Sequence, residues 1–435
     1  MPTQFDPPSG TRDFLAADAE QREQAFAVIR SVFTQYGFEP LQTPAFERLD
    51  VLLGKYGEDG DKLVFKILRR GEHEASGEAD LALRYDLTVP LARVAAAYGS
   101  QLPSPYKRYA IGPVWRADRP GKGRFREFVQ CDLDTLGSAS VLADAEALCA
   151  QHDALAALGV PDFSIQLNSR RVLAGLLEAF GVPEELGAGV LITLDKLDKM
   201  RPEAVIAELE GRGLATGDAA SLVTTMTAPD AVERIRLVLK QSDVGAAGLD
   251  EVDTLLSLVA LQIPPGRVAF TPRLVRGLSY YTGPIWEAVA PGVPGSIGSG
   301  GRYDHLIEQL GGPDTPATGS SLGVERILLL LPESGAERGR LDVAVTVMAE
   351  DFARQSFDFS ATARAAGLRS SVYLGGSGKL GRQLRWASDQ GARWSLIYGS
   401  AEDEAGTVTV RDMRTGEQTA VPVGELGGYL IRAAE

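Results

Sequence analysis

The stretch "WRADRPGKGRFREFVQCDLDTLG", Trp115 to Gly137, decides the fold class. Together with the preceding "PYKRYAIGPV" it makes two strand-like halves around the turn-rich "RADRPGKGR" of Arg116–Arg124, the signature of a β-hairpin with a long tip. Side chains alternate along a strand, so Gln130, Asp132 and Asp134 face one side together. Such a face suits a small zwitterion with a polar side chain. An ordinary polar sheet surface explains the same periodicity equally well.

Outward from this hairpin the chain organises around it. On the N-terminal side, Ala25, Phe26, Ile29, Val32 and Phe33 predict a helix from Asp18 to about Tyr36. A strand broken by Pro40 and Pro44 follows, then a short helix, a strand, a polar turn, a second strand, and a helix from about Thr88. On the C-terminal side come a helix from Val141 to about Leu158, a strand in "DFSIQLN" and a helix opening near Ser169. Residues 183 to 262 lose all strand character and predict a helical insertion. Strand character returns in "GRVAFTPRLVRGLSYYTGPIWEAVA" and persists through the Gly-rich "GSIGSGGRYDHLIEQLGG", where "GSGGRYD" also suits a tight sheet turn. The apolar "SLGVERILLLLP" predicts a closing helix, and "ESGAERGR" (333–340) a linker. Beyond it, "DVAVTVM", "RSSVYL" and "WSLIYG" alternate with helical stretches, and "TVTVRDMRTGEQTAVPV" predicts a hairpin turning at Thr415-Gly416. That alternation means a small α/β domain with a largely parallel sheet.

The 435 residues suit two or three domains, and 44% apolar with 23% charged residues excludes a wholly disordered or disulfide-stapled chain. With 44 Lys and Arg against 58 Asp and Glu, the net charge of −14 argues against indiscriminate coating of nucleic acid or anionic membrane. A local basic groove for one folded RNA stays compatible with it. Cys131 and Cys149 read as reduced buried thiols. His73, His152 and His305 show no metal-ligand spacing. The N-terminus lacks a secretory pattern and the apolar runs are too short for a membrane span, so the expected location is the cytosol, with no membrane partner.

No common catalytic signature is present. "GGSGKLG" near Lys379 has Tyr373 where a P-loop needs its first Gly and Leu380 where it needs Ser or Thr. Arginines stand out instead: Arg116, Arg124, Arg126, Arg276 and Arg326 lie in strand-like or apolar surroundings. A structural ion pair explains any one of them alone, because a buried guanidinium needs an anion or many acceptors. Together they predict a polyanion clamp of the kind that triphosphate chemistry uses. Asp86, Tyr280, Tyr281 and Tyr303 supply acidic and aromatic partners in the same strand-like segments.

These segments resemble the histidine–tRNA ligase family of class II aminoacyl-tRNA synthetases over nearly the whole chain. "PPSGTRDF" resembles the family's N-terminal signature, "FEPLQTPAFE" motif 1, "WRADRPGKGRFREFVQCDLDTLG" motif 2 and "GSSLGVERILLLL" motif 3. The histidine-specific resemblance rests on "LVRGLSYYTG" and "GGRYDHLIEQLGG". "GKYGED", "LRYDLTVPLAR", "LDKLDK" and "YYTGPIWEAV" look closer to the eukaryotic branch. The resemblance implies an α/β protein with two domains. Residues 1–332 would form an α+β catalytic domain, a class II antiparallel sheet flanked by helices and carrying the insertion. Residues 341–435 would form an α/β anticodon-binding domain. It implies L-histidine, ATP with Mg²⁺, and histidine tRNA as substrates, and a homodimer.

Residue by residue, the resemblance assigns Arg116 to the α-phosphate and the substrate carboxylate, and Arg276 to the α-phosphate as the family's extra arginine. These two would be the catalytic groups. Phe128 would stack on adenine, Arg326 would meet the γ-phosphate, and Arg124 and Asp118 would be further ATP contacts. Asp86 would receive the α-amino group, with Leu87 and Thr88 beside it. Gln130, Asp134, Tyr280, Tyr281 and Tyr303 would form the histidine pocket. Neutral imidazole offers one N–H and one acceptor nitrogen, which Asp134 and the Tyr281 hydroxyl complement. Three positions depart from the pattern: Ser279 for Asp, Asp118 for Glu, and Ser299 for Ala. Two other functions compete. One is a non-charging paralogue such as the histidine-sensing regulatory subunit of ATP phosphoribosyltransferase, to which Ser279 lends weight. The other is a non-enzymatic tRNA-binding module. The anticodon-type domain opposes the first, and the retained Arg116 and Arg326 oppose the second.

Overall fold

The computed structural model describes residues 5–56, 60–71, 76–198, 200–275, 280–332, 341–376 and 378–434. The chain divides into two units, residues 1–332 and 333–435. The linker segment 333–340, and with it His73, Arg276 and Ser279, lies outside the described residues.

In the first unit the strands are β1 (Glu39–Pro40), β2 (Phe46–Arg48), β3 (Lys66–Leu68), β4 (Ala79–Leu83), β5 (Tyr106–Trp115), β6 (Glu127–Leu136), β7 (Ser164–Ser169), β8 (Val268–Phe270), β9 (Pro284–Val289), β10 (Gly298–Arg302) and β11 (Ala317–Gly323). Eight of them form one sheet in the order β1-β5-β6-β11-β10-β9-β7-β8, and β2-β4-β3 form a smaller one. The hairpin read from the sequence supplies the second and third strands of the larger sheet: β5 and β6 pair antiparallel from Tyr106–Leu136 to Trp115–Glu127. β11 pairs antiparallel on the other side of β6, β10 on β11, and β9 on β10. Only the outer pairs β1–β5 and β7–β8 are parallel.

Helices cover one side of this sheet. Helix Ala16–Gln35 buries Phe26, Ile29, Val32 and Phe33 in the main core, and helix Val141–Ala157 buries a run of Ala and Leu there. The second is capped by Ser140, whose side chain accepts from the Leu142 N–H. Small Ala side chains let this helix approach the strands closely. Between β7 and β8 the described residues make six α-helices, of which Glu184–Leu194, Pro202–Gly211, Thr216–Thr227, Ala231–Val238 and Asp243–Val259 fall largely within the predicted insertion.

Two local expectations change. "SLGVERILLLLP" is helical only over Val324–Leu328, because Ser321–Gly323 complete β11 and pair with β6. "GSGGR" is strand β10, not a tight turn. Its glycines leave the sheet surface bare so that rings can lie on it: a Cβ at Gly300 would stand 2.4 Å from the Trp286 indole, and one at Gly301 2.7 Å from the Tyr281 ring.

The second unit has strands β12 (Val343–Val345), β13 (Ser370–Val372), β14 (Trp394–Ile397), β15 (Thr407–Asp412) and β16 (Gln418–Pro422), in the order β13-β12-β14-β15-β16. β13, β12 and β14 are parallel, and β15–β16 is the expected hairpin, with Gly416 at φ +80° in its turn. Val343, Val345, Phe359, Leu396 and Leu430 form its core. Among the described residues no helix is long and apolar enough to cross a membrane.

Candidate active site

The exposed face of the large sheet floors a cleft of about 820 Å³, enough for a nucleotide beside an amino acid. Its lining includes Asp86, Thr88, Arg116, Arg124, Phe128, Gln130, Asp132, Asp134, Tyr280, Tyr281, Tyr303 and Arg326. Twelve side chains scattered over 240 residues of sequence thus meet in one place, and eleven of them are predicted site residues. Leu87 and Asp118 do not line it. Leu87 is buried in the core and offers only its backbone carbonyl, which accepts from Arg108 at 3.0 Å. The Asp118 carboxylate lies 3.8 Å from Arg124, and its carbonyl accepts from Arg126 at 3.2 Å. Arg276 and Ser279 fall outside the described residues.

One end of the cleft is a polar patch on β6. Gln130 donates from Nε2 to the Ser321 hydroxyl on β11 at 2.8 Å, and its Oε1 has no hydrogen-bond partner among the described residues. Asp134 receives the Tyr303 hydroxyl on one oxygen, and its other oxygen lies 2.8 Å from Nη2 of Arg108. Asp132 stands between them, 2% exposed, with Oδ1 unpartnered among the described residues. Three aromatic rings crowd this end, with Tyr280 centred 4.9 Å from Tyr281 and 5.9 Å from Tyr303. Asp86 sits at the start of helix Thr88–Tyr98, accepting from the Val89 N–H at 3.0 Å and from the Tyr56 hydroxyl at 3.2 Å.

Burial sets the electrostatics. It raises the Asp86 carboxyl, opposed by the Val89 N–H and the Arg116 charge, and raises Asp134, opposed by Arg108 and the Tyr303 hydroxyl. Asp132 is pushed up to about 7 by burial, Arg108 pulling it back and the Asp134 charge adding to the rise. The Tyr303 hydroxyl is held protonated by burial and by the neighbouring Asp134 charge, so it is a donor.

At the other end stand three arginines, two of them, Arg116 and Arg326, held by main-chain carbonyls. Arg116 donates from Nε to the Tyr85 carbonyl at 3.0 Å, and its guanidinium lies 4.2 Å from the Tyr85 ring centre and 5.2 Å from that of Phe128. Arg326 donates to the Gly123 carbonyl at 3.1 Å and the Ser296 carbonyl at 2.7 Å. Arg124, with 56% of its side chain exposed, sits on the hairpin tip. These groups keep positive charge available to an anion in the cleft.

Asp132 belongs to the face read from the alternation of Gln130, Asp132 and Asp134, although the resemblance gives it no role; other contributors escape sequence reasoning. Arg108 on β5 shares the phase of Arg116, the residue that follows the strand, but only the register with β6 reveals its partner. Tyr56 and, from the insertion, Asp195 reach the site through tertiary packing. The one histidine–carboxylate group among the described residues with metal-like proximity, His305, Glu308 and Asp314, is exposed and does not line the cleft.

Comparison with known proteins matches this geometry to a family. A family model described as Histidyl-tRNA synthetase matches residues 10–327, and one described as Anticodon binding domain matches 342–433. Histidine–tRNA ligase of Gloeobacter violaceus is 39% identical over 96% of each chain. The crystal structure of histidyl-tRNA synthetase from Nostoc sp. superposes with a TM-score of 0.79 at 29% identity, over 99% of this chain and all of that one. A Bacillus halodurans protein described as an ATP phosphoribosyltransferase regulatory subunit/histidyl-tRNA synthetase shares the fold, at a TM-score of 0.74 and 22% identity over 89% of this chain and 97% of that one. The strand hairpin, the arginine-bearing cleft and both matched regions agree, and the chain belongs to the histidyl-tRNA synthetase family.

Proposed function

We infer that this chain activates L-histidine with ATP to histidyl-adenylate and transfers the histidyl group to histidine tRNA. The observation that carries this is the coexistence of a full-length family match with a cleft in which a carboxylate-rich floor adjoins the guanidinium groups of Arg116, Arg124 and Arg326. On this reading residues 1–332 are the catalytic domain and 341–435 bind the anticodon. The protein works in the cytoplasm as a homodimer, as its relatedness to bacterial synthetases supports.

In the first step the histidine carboxylate attacks the ATP α-phosphorus and pyrophosphate departs. Arg116 bridges carboxylate and α-phosphate, Arg276 shares the developing negative charge, and Arg326 holds the γ-phosphate. Phe128 stacks on adenine, and the exposed Arg124 closes over the nucleotide. Asp86 receives the α-ammonium group. Asp134 accepts the imidazole N–H while Tyr281 donates to the other nitrogen, with Gln130, Tyr280 and Tyr303 enclosing the ring. A pocket paired to both nitrogens rejects apolar side chains because its own buried groups would be left unsatisfied. The terminal tRNA hydroxyl then attacks the activated carbonyl, losing its proton as the ester forms and the bond to AMP breaks to release AMP. No enzyme nucleophile takes part. Mg²⁺ would enter on the ATP phosphates as part of that substrate.

Histidine-dependent exchange of labelled pyrophosphate into ATP tests this. The wild-type protein is expected to exchange, and Arg276→Ala to lower the rate by roughly a hundredfold or more. Histidine binding without exchange at any pH would instead identify a regulator, a reading that the anticodon-binding match opposes.

A further inference from the structure

β6 presents two carboxylates to the same face, two residues apart, at the place where the imidazole would sit. Asp134 alone of the two has a cation directly opposite it on β5, although Asp132 also feels the charge of Arg84. Arg108 on β5 lies directly opposite Asp134, whereas the residue opposite Asp132 is Ala110. Arg108 is fully buried, with Nη2 2.8 Å from Asp134 Oδ2 and 3.0 Å from the Leu87 carbonyl. Its Nε and Nη1 have no hydrogen-bond partner among the described residues, so it is not consumed by other contacts. The opposite oxygen of Asp134 is held by the Tyr303 hydroxyl, and Gly319 on β11 leaves the space in which that carboxylate lies.

We propose that Arg108 is a positioning residue for histidine recognition, selecting Asp134 over Asp132 as the ionised carboxylate and fixing its orientation towards the imidazole. This rests on the reading of Asp134 as the imidazole acceptor. Two adjacent buried carboxylates resist ionising together, and a single guanidinium in register with one of them decides which does. The charged and titratable groups facing Asp134 are Arg108 from β5, Asp132 on its own strand, Tyr303 from the segment after β10 and Asp86 before helix Thr88–Tyr98. Of these only Arg108 favours the anion by its charge. Removing it raises the Asp134 carboxyl further, so the ionised fraction falls and the acid limb of histidine binding moves to higher pH.

The test measures KM for histidine and for ATP in pyrophosphate exchange across pH, on full-length protein, with thermal melts alongside. Arg108→Met is expected to raise KM for histidine at least about tenfold, leave KM for ATP within about twofold, and shift the acid limb upward. Arg108→Lys, which keeps the charge, is expected to restore part of the affinity and return the limb towards wild type. The double variant Arg108→Met/Asp134→Asn is expected to match Asp134→Asn alone, since the arginine acts through that carboxylate. Equal losses for histidine and ATP, or independent additive losses in the double variant, would overturn the proposal. So would failure of Arg108→Lys to differ from Arg108→Met in a folded protein. Unchanged histidine affinity in Asp134→Asn would instead refute the underlying reading of the pocket.

Discussion

Gly319→Ala is a one-methyl perturbation with a large expected effect on one substrate. Gly319 pairs with Asp134 across β11 and β6. A Cβ there would lie 2.1 Å from Asp134 Oδ1, 2.6 Å from its Cγ and 2.6 Å from the Leu133 carbonyl oxygen, where real contacts essentially never fall below 3.0 Å. The carboxylate can rotate away, but the Leu133 carbonyl is held in the sheet. Overpacking of this kind costs about 1–3 kcal/mol of stability. Turning Asp134 away also parts it from Tyr303 and Arg108 and, on the proposed reading of the pocket, removes a charged hydrogen bond to substrate, worth about 1.5–3 kcal/mol. At 1.4 kcal/mol per decade, that is roughly a ten- to hundredfold rise in KM for histidine. The three atoms nearest that Cβ belong to Asp134 and Leu133, and Phe128 stands six residues from Asp134 along β6, so KM for ATP is expected to stay near wild type. Pyrophosphate exchange at varied histidine and at varied ATP separates the two, and a melt confirms folding. A folded Gly319→Ala protein with wild-type KM for histidine would refute the placement of Asp134 in the pocket.

Two further outcomes follow from buried charge. Asp132 binds its proton more tightly folded than unfolded, so the stability it contributes is fully present below about pH 4 and is lost as pH rises through about 7. Without substrate, the stability of Asp132→Asn relative to wild type is expected to grow by roughly 2–3 kcal/mol between about pH 5 and pH 8, read by urea unfolding; a flat difference would show that Asp132 is ionised throughout. Arg302 and Asp144 form a buried pair at 2.6 Å, with 5% and 0% of their side chains exposed, and Arg302 also donates to the Ser138 and Ser140 carbonyls. Arg302→Met should cost about 3–5 kcal/mol by stranding the carboxylate, and Arg302→Met/Asp144→Leu should recover part of it; an unchanged melting midpoint for the single variant would contradict this.

The legible part of the sequence was local. Alternation on 128–136 placed Gln130, Asp132 and Asp134 on one face, and the turn-rich 116–124 announced the hairpin, because both signals lie within a few residues. The arginines were visible as polar residues in apolar company, but what fixes them was not: Arg116 and Arg326 are held by backbone carbonyls of Tyr85, Gly123 and Ser296, which no residue type encodes. Arg108 stayed hidden for a similar reason, since its partner is set by strand register. Leu87 was expected at the pocket through its neighbours Asp86 and Thr88, yet its side chain turns into the core as the helix begins. The apolar run after Ser320 reads as helix until β6 claims its first residues as a strand.

The helices between Ser169 and Val268 leave and rejoin the sheet at β7 and β8, parallel neighbours at one rim. Both ends of that excursion are therefore moored side by side, several strands from β6. Since closing a longer excursion costs only about 0.6 kcal/mol per doubling of its length, evolution is free to trim, extend or exchange this appendage while the catalytic floor stays put. Its reach back to the cleft at Asp195 is then the point where such remodelling would first be felt by the chemistry.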